Sequence, residues 1–174
     1  VENTTVAIAI ALALGIDADK VKQAVANFKG VKRRFEYIVN NGNQIYIDDY
    51  AHHPEELKAC FDAVRQLYPD KKLTVIFQPH LFTRTRDFAD EFAKVLSTAD
   101  ELLLLEIYPA RELPLEGINA QFLLDKITLS DKKICGKDFV VQYVKDTKPE
   151  LILTVGAGDI DTIIEPLKNT LNNA

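Results

Sequence analysis

The spacing of apolar residues changes along this chain in a way that marks out helices and strands. From Thr4 to Leu14, Ala, Ile, Leu and Val run with no polar break, and that length and alanine content predict a buried helix ending at Gly15. Asp17 can cap a second helix, Ala18 to Phe28, whose Val21, Ala24, Val25 and Phe28 share one face. These two helices look like the tail of a preceding unit. Gly30 stops the second one and residues 29–34 read as a linker, so the expected division is 1–29 and 30–174.

Beyond the linker the period shortens. Phe35 to Val39 and Gln44 to Ile47 flank Asn40-Asn41-Gly42-Asn43, a hairpin signal because Asn and Gly tolerate the positive φ that tight turns need. Short apolar strands then alternate with helices. The strands are Leu73 to Phe77, Glu101 to Ile107, Lys133 to Cys135 and Leu151 to Val155. The helices are Pro54 to Leu67, Asp87 to Leu96, Ala120 to Ile127, Phe139 to Val144 and Ile160 to Leu171. Pro54 suits a first helical position, where its missing N–H costs nothing. Such alternation predicts an α/β fold: a Rossmann-like, mostly parallel sheet covered by helices on both faces.

Composition narrows the partners. The 174 residues are 47% hydrophobic, enough for a real core, and the net charge of −5 argues against a nucleic-acid binder, which needs a basic surface. The longest apolar stretch, Val6 to Leu14, is too short to span a bilayer, and no secretion signal opens the chain, so a cytoplasmic location away from membranes is expected. Cys60 and Cys135 lack metal or redox spacing and read as reduced structural thiols. With no methionine, the chain is expected to be processed or part of something longer.

The unusual residues concentrate where ligands bind. Four predicted strands are followed by the loops Asp48-Asp49-Tyr50-Ala51-His52-His53-Pro54, Gln78 to Arg86, Tyr108 to Glu112, and Gly156-Ala157-Gly158-Asp159. In a parallel sheet those loops gather at the carboxyl edge, and all three histidines lie in them. Asp48 and Asp49 could ligate a metal, accept from ribose hydroxyls, act as a base, or simply make a solvated turn. Adjacent His52 and His53 point apart on a regular element, which favours one histidine on a carboxylate over a shared metal. Arg84 and Arg86 sit at a predicted helix start, where their guanidinium forks suit a carboxylate or phosphate; a salt bridge to Asp87 or Asp90 is the structural alternative. The Gly156-to-Asp159 turn has the geometry for close backbone approach to an anion, although it is not a full dinucleotide fingerprint, and the chain holds no GxxxxGK[ST] phosphate loop.

Taken together, Gly30-Val31-Lys32-Arg33-Arg34-Phe35, the Asp48-to-Pro54 loop, Gln78-Pro79-His80 with Thr83-Arg84-Thr85-Arg86-Asp87, Tyr108-Pro109-Ala110 and Gly156-Ala157-Gly158-Asp159 resemble the Mur ligase family. The resemblance implies the C-terminal domain of a three-domain enzyme that uses ATP and Mg2+ to join L-alanine to UDP-N-acetylmuramate for peptidoglycan synthesis. Residues 1–29 would then be the closing helices of a central ATPase domain, and that domain and an N-terminal UDP-sugar domain would be this chain's partners. The central domain would hold most of the ATP and Mg2+ contacts. By the same resemblance Asn3, Arg34 and Asp49 contact ATP, and Tyr50, His52, Arg84 and Arg86 line the L-alanine site; no residue here is expected to be catalytic or to bind metal. Leu81 stands where many members carry a second arginine, which leaves the amino acid's carboxylate to Arg84 and Arg86. Two rivals remain: a sibling ligase that attaches a recycled tripeptide, and a free-standing nucleotide- or anion-binding module.

Overall fold

A computed structural model describes residues 2–172 and divides the chain into two compact units, residues 1–31 and 32–174. The first unit holds α1 (Glu2–Ala13) and α2 (Ala18–Asn27). The Asp17 carboxylate caps α2 by accepting from the N–H groups of Asp19 and Lys20. The expected burial of the first helix is not found: Val6, Ile10, Leu12 and Leu14 are exposed. A helix that is apolar all round is buried only when covered on several sides, and this unit has one other helix to offer.

The second unit is built on a six-stranded sheet of β1 (Glu36–Asn40), β2 (Ile45–Asp49), β3 (Leu73–Phe77), β4 (Glu101–Leu104), β5 (Lys132–Ile134) and β6 (Leu151–Val155), in the order β1-β2-β6-β3-β4-β5. Only β1 runs antiparallel to its neighbour, as the hairpin requires. The turn forms as the sequence predicts, with Gly42 at φ 88° and the Asn41 side chain accepting from the Asn43 and Gln44 N–H groups. The central strands β3 and β6 are buried along their whole length, as parallel strands covered on both faces should be.

Alternate residues feed two cores. Ile47, Val75, Phe77, Leu102, Leu104 and Leu153 pack against α3 (Pro54–Leu67), α5 (Ala89–Leu96) and α6 (Ala120–Lys126). On the other face Tyr46, Ile76, Leu103 and Ile152 meet α7 (Lys137–Thr147) and α8 (Ile164–Asn172). Two predicted helices are broken in the structure. The helix expected from Asp87 begins earlier, as α4 (Phe82–Asp87), and α5 follows after Phe88, whose φ of −118° and ψ of 23° interrupt the helical path. The last helix opens with a 3-10 turn over Asp159–Ile163. The β5 edge carries Lys132, whose ammonium caps the Leu124 and Ile127 carbonyls, and Lys133, which lies over the Phe139 and Tyr143 rings. The other edge strand, β1, has an irregular register between Tyr37 and Val39.

Candidate functional site

The loops after β2, β3, β4 and β6 meet at the carboxyl edge of the sheet, and two clusters form there. The first is a tightly bonded corner. Arg33, at φ 58°, sends its Nε to the Asp48 carboxylate at 3.0 Å and its Nη2 to the Gly156 carbonyl at 2.7 Å. Asp48 is wholly buried and also accepts from the Thr154 hydroxyl at 2.6 Å. Burial pushes the Asp48 carboxyl above the ordinary aspartate value, while Thr154 and Arg33 pull the other way. Next to it, Asp49 accepts from the Phe35 N–H at 2.6 Å and the Ala51 N–H at 2.8 Å. The two aspartates of the motif therefore tie the end of the linker to the sheet, one through a side chain and one through the backbone.

The second cluster is a ledge of rings and guanidiniums. Tyr50 lies under Arg33 and Arg34, whose Cζ atoms are 5.2 and 5.5 Å from its ring centre. His52 meets Tyr50 edge-on at 5.3 Å and His80 edge-on at 5.9 Å, and His80 stacks on Tyr108 at 5.7 Å. A carbonyl can only accept, so the 2.9 Å contact of His52 Nδ1 with the Tyr50 carbonyl puts a proton on Nδ1 and leaves Nε2 for a ligand. The Glu56 carboxylate accepts from the His52 and His53 N–H groups and holds this loop at the start of α3. Arg84 approaches His80 Nδ1 at 3.2 Å and, among the described residues, pairs with no carboxylate within 4.0 Å. Glu112 is hydrogen-bonded by the Thr83 hydroxyl and N–H, and these bonds, with a weaker pull from the Arg84 charge, hold its carboxyl below the ordinary glutamate value. A half-buried guanidinium with no ion-paired carboxylate among the described residues suits an external carboxylate or phosphate.

The glycine turn works differently from the sequence expectation. A Cβ on Gly156 would stand 2.8 Å from the Gln78 carbonyl oxygen, and one on Gly158 would stand 2.4 Å from Gln78 Oε1 and 2.6 Å from Tyr108 Cβ. What the missing side chains admit is Gln78 and Tyr108, not an anion. The Gln78 amide nitrogen donates to Asp159, which Lys137 also pairs at 2.6 Å. The acidic Asp159 thus occupies the first turn after β6, where an anion would have had to bind.

Of the residues singled out in the sequence, Arg34, Tyr50, His52 and Arg84 lie along this edge, with Asp49 at its bonded corner. Arg86 does not join them: two residues from Arg84 on a helix, it faces another way, exposed and paired with Asp87 at 2.7 Å. Asn3 lies exposed in the first turn of α1, in the other unit. Two residues escaped the sequence reading. Arg33, rather than its neighbour, makes the buried ion pair; His80 lies at the centre of the ledge, and its signal was that all three histidines fall in these loops. Among the described residues no three His, Cys, Asp or Glu side chains converge on a metal position, so these residues alone do not fit the Mg2+ that the resemblance implies. No described helix is long and apolar enough to cross a membrane.

Residues 33–160, most of the chain, match the family described as Mur ligase, glutamate ligase domain. The chain belongs to the Mur ligase family. It is 49% identical over 170 residues to the UDP-N-acetylmuramate–L-alanine ligase of Flavobacterium johnsoniae, an alignment covering 98% of this chain and 38% of that protein. The protein of the same name from Cytophaga hutchinsonii is 50% identical over 168 residues, covering 97% and 36%. The solved UDP-N-acetylmuramate-alanine ligase of Thermotoga maritima superposes with a TM-score of 0.78 at 26% identity, over 98% of this chain and 37% of that one. A solved domain of a putative UDP-N-acetylmuramate:L-alanyl-γ-D-glutamyl-diaminopimelate ligase from Haemophilus ducreyi shares the fold at 22% identity with a TM-score of 0.58, over 79% of this chain and 99% of its own. This Mur ligase domain thus spans well under half the length of the curated relatives it matches.

Proposed function

We propose that this Mur ligase domain receives the amino acid in an ATP-dependent ligase that joins L-alanine to UDP-N-acetylmuramate. The observation that carries the reading is Arg84, a guanidinium with no carboxylate partner among the described residues, on the same ledge as His52. The curated relatives at 49% and 50% identity bear the name of that activity, which favours alanine over a longer peptide as the incoming amine.

In this reading Arg84 holds the alanine carboxylate, and His52, its Nδ1–H held by the Tyr50 carbonyl, donates to the same group through Nε2–H in its imidazolium form. Tyr50 forms the wall between that site and Arg34, which with Asp49 faces the nucleotide. ATP, bound mainly by another domain of the enzyme together with Mg2+, activates the muramate carboxylate as an acyl phosphate. The amine of the positioned alanine then attacks the acyl carbon, and phosphate leaves. The ledge contributes orientation, worth orders of magnitude in rate without covalent chemistry by the protein.

The test uses the full-length ligase carrying this domain. His52→Ala and Arg84→Ala should each raise the KM for L-alanine by about ten- to a hundredfold, the loss of one charge-assisted contact, with the KM for ATP little changed. Equal effects on both substrates, or none on alanine, would overturn the reading.

A further inference from the structure

We propose that His80 is a positioning residue: it acts as the neutral acceptor that holds the Arg84 guanidinium in its carboxylate-binding orientation. This rests on the assignment of Arg84 to the amino acid's carboxylate and adds to it a requirement on a neighbouring side chain. An arginine can only donate, so the 3.2 Å contact between Arg84 Nη1 and His80 Nδ1 requires an unprotonated Nδ1 and leaves the ring's proton on Nε2. The surroundings keep the ring in that state. Burial disfavours its charged form first, the Arg84 and His52 charges reinforce this, and only Glu112 opposes them, so the imidazole titrates below the ordinary histidine value.

The ring itself is fixed. His80 pairs as a parallel bridge with Tyr108, and the backbone is pinned on both sides by the Leu81 N–H on the Tyr108 carbonyl at 2.9 Å and the Tyr108 N–H on the Pro79 carbonyl at 2.8 Å. The imidazole stacks on Tyr108 with 19° between the planes, and His52 closes on it edge-on. Leu81, at φ 73°, turns the chain sharply between His80 and α4, and its carbonyl accepts from both the N–H and the hydroxyl of Thr85. A fixed acceptor thus faces the flexible end of an arginine whose helix is anchored separately. Without it, a long side chain with many rotamers would have to be ordered by the ligand alone.

Asparagine and glutamine distinguish this role from packing, because both lose the ring stack on Tyr108 while only asparagine places a carbonyl oxygen near the position of Nδ1. In the full-length ligase, His80→Ala and His80→Gln should raise the KM for L-alanine about five- to tenfold, the value of one hydrogen bond, with the KM for ATP unchanged. His80→Asn should recover most of that loss. Melting temperatures of the variants are measured alongside; should His80→Ala fail to fold, the Asn and Gln pair still decides. Equal defects in Asn and Gln, or a normal alanine KM in His80→Gln while Arg84→Ala is impaired, would overturn the positioning role. A normal alanine KM in Arg84→Ala would instead overturn the assignment of the carboxylate site itself.

Discussion

Two arginines at the same sheet edge have opposite fates. Arg33 is committed within the fold: its Nε meets a wholly buried aspartate, its Nη2 a backbone carbonyl, and its side chain is 17% exposed. Arg84 rests on a neutral imidazole and pairs with no carboxylate among the described residues. Sequence gives no reason to treat them differently, since each sits in a basic motif beside a strand end. What separates them is whether the folded chain supplies the counter-ion. Where it does, the charge fixes the backbone; where it does not, the charge is available to a ligand.

The largest expected effect breaks the committed side. Arg33→Met should destabilise the 174-residue chain by about 3–5 kcal/mol, because it strands a buried carboxylate. Arg84→Met should stay within about 0.5 kcal/mol of the parent, as expected for a residue that makes no buried ion pair within the fold. Urea denaturation followed by circular dichroism measures both, and equal losses would erase the distinction. Next in size, Gly158→Ala forces a Cβ within 2.4 Å of Gln78 Oε1 and 2.6 Å of Tyr108 Cβ, the ring on which His80 stacks. It should cost about 1–3 kcal/mol, as overpacking does, and disturb the ledge rather than the Arg33 corner.

The smallest effect concerns acid. Burial raises the Asp48 carboxyl, so its folded value lies above its unfolded one; its contribution is present below the unfolded value and is lost as pH rises through the folded value. Asp100 behaves in the opposite way. Burial would raise it, but the Leu73 N–H and the Arg65 guanidinium outweigh burial and hold it below the usual range, so its contribution is present above about pH 4 and is lost as pH falls further. The loss of stability between about pH 4 and pH 2.5 should therefore be shallower in Asp100→Asn and as steep or steeper in Asp48→Asn. A flattened slope in the Asp48 variant would mean that the buried pair, and not the surface, carries the acid sensitivity.

Much of this was legible in the sequence because it is local. Asn41-Gly42 dictates a positive φ, Pro54 starts a helix, and a five-residue β-branched-rich run between turn residues, Leu151 to Val155, reads as a strand buried on both faces. The gathering of histidines and arginines at one edge followed from strand–helix alternation alone. What escaped depends on contacts distant in sequence. The helix break at Phe88 has no proline or glycine to announce it. The division of labour between Arg33 and Arg34 is set by Asp48 and Gly156, one of them 123 residues away. The glycines after β6 read as an anion turn because the sequence does not show that Gln78 and Tyr108 fill the space. His80 was passed over because four residues separate it from Arg84 across a turn at Leu81, not along a helix.

The sheet also has two lateral edges, and their composition bears on how the protein behaves in a crowded solution. An exposed strand edge offers unpaired amide and carbonyl groups to any other chain, the first step towards aggregation. Here β5 is three residues long and has two lysines, one holding the end of α6 and the other lying over the α7 rings, while β1 is distorted by its irregular register. Neither edge presents a long, flat, uncharged template. Two copies meeting through their β5 edges would have to bring the like charges of Lys132 and Lys133 together before forming a bond. The fold can therefore gather its reactive loops at the ends of the strands while its flanks resist self-association.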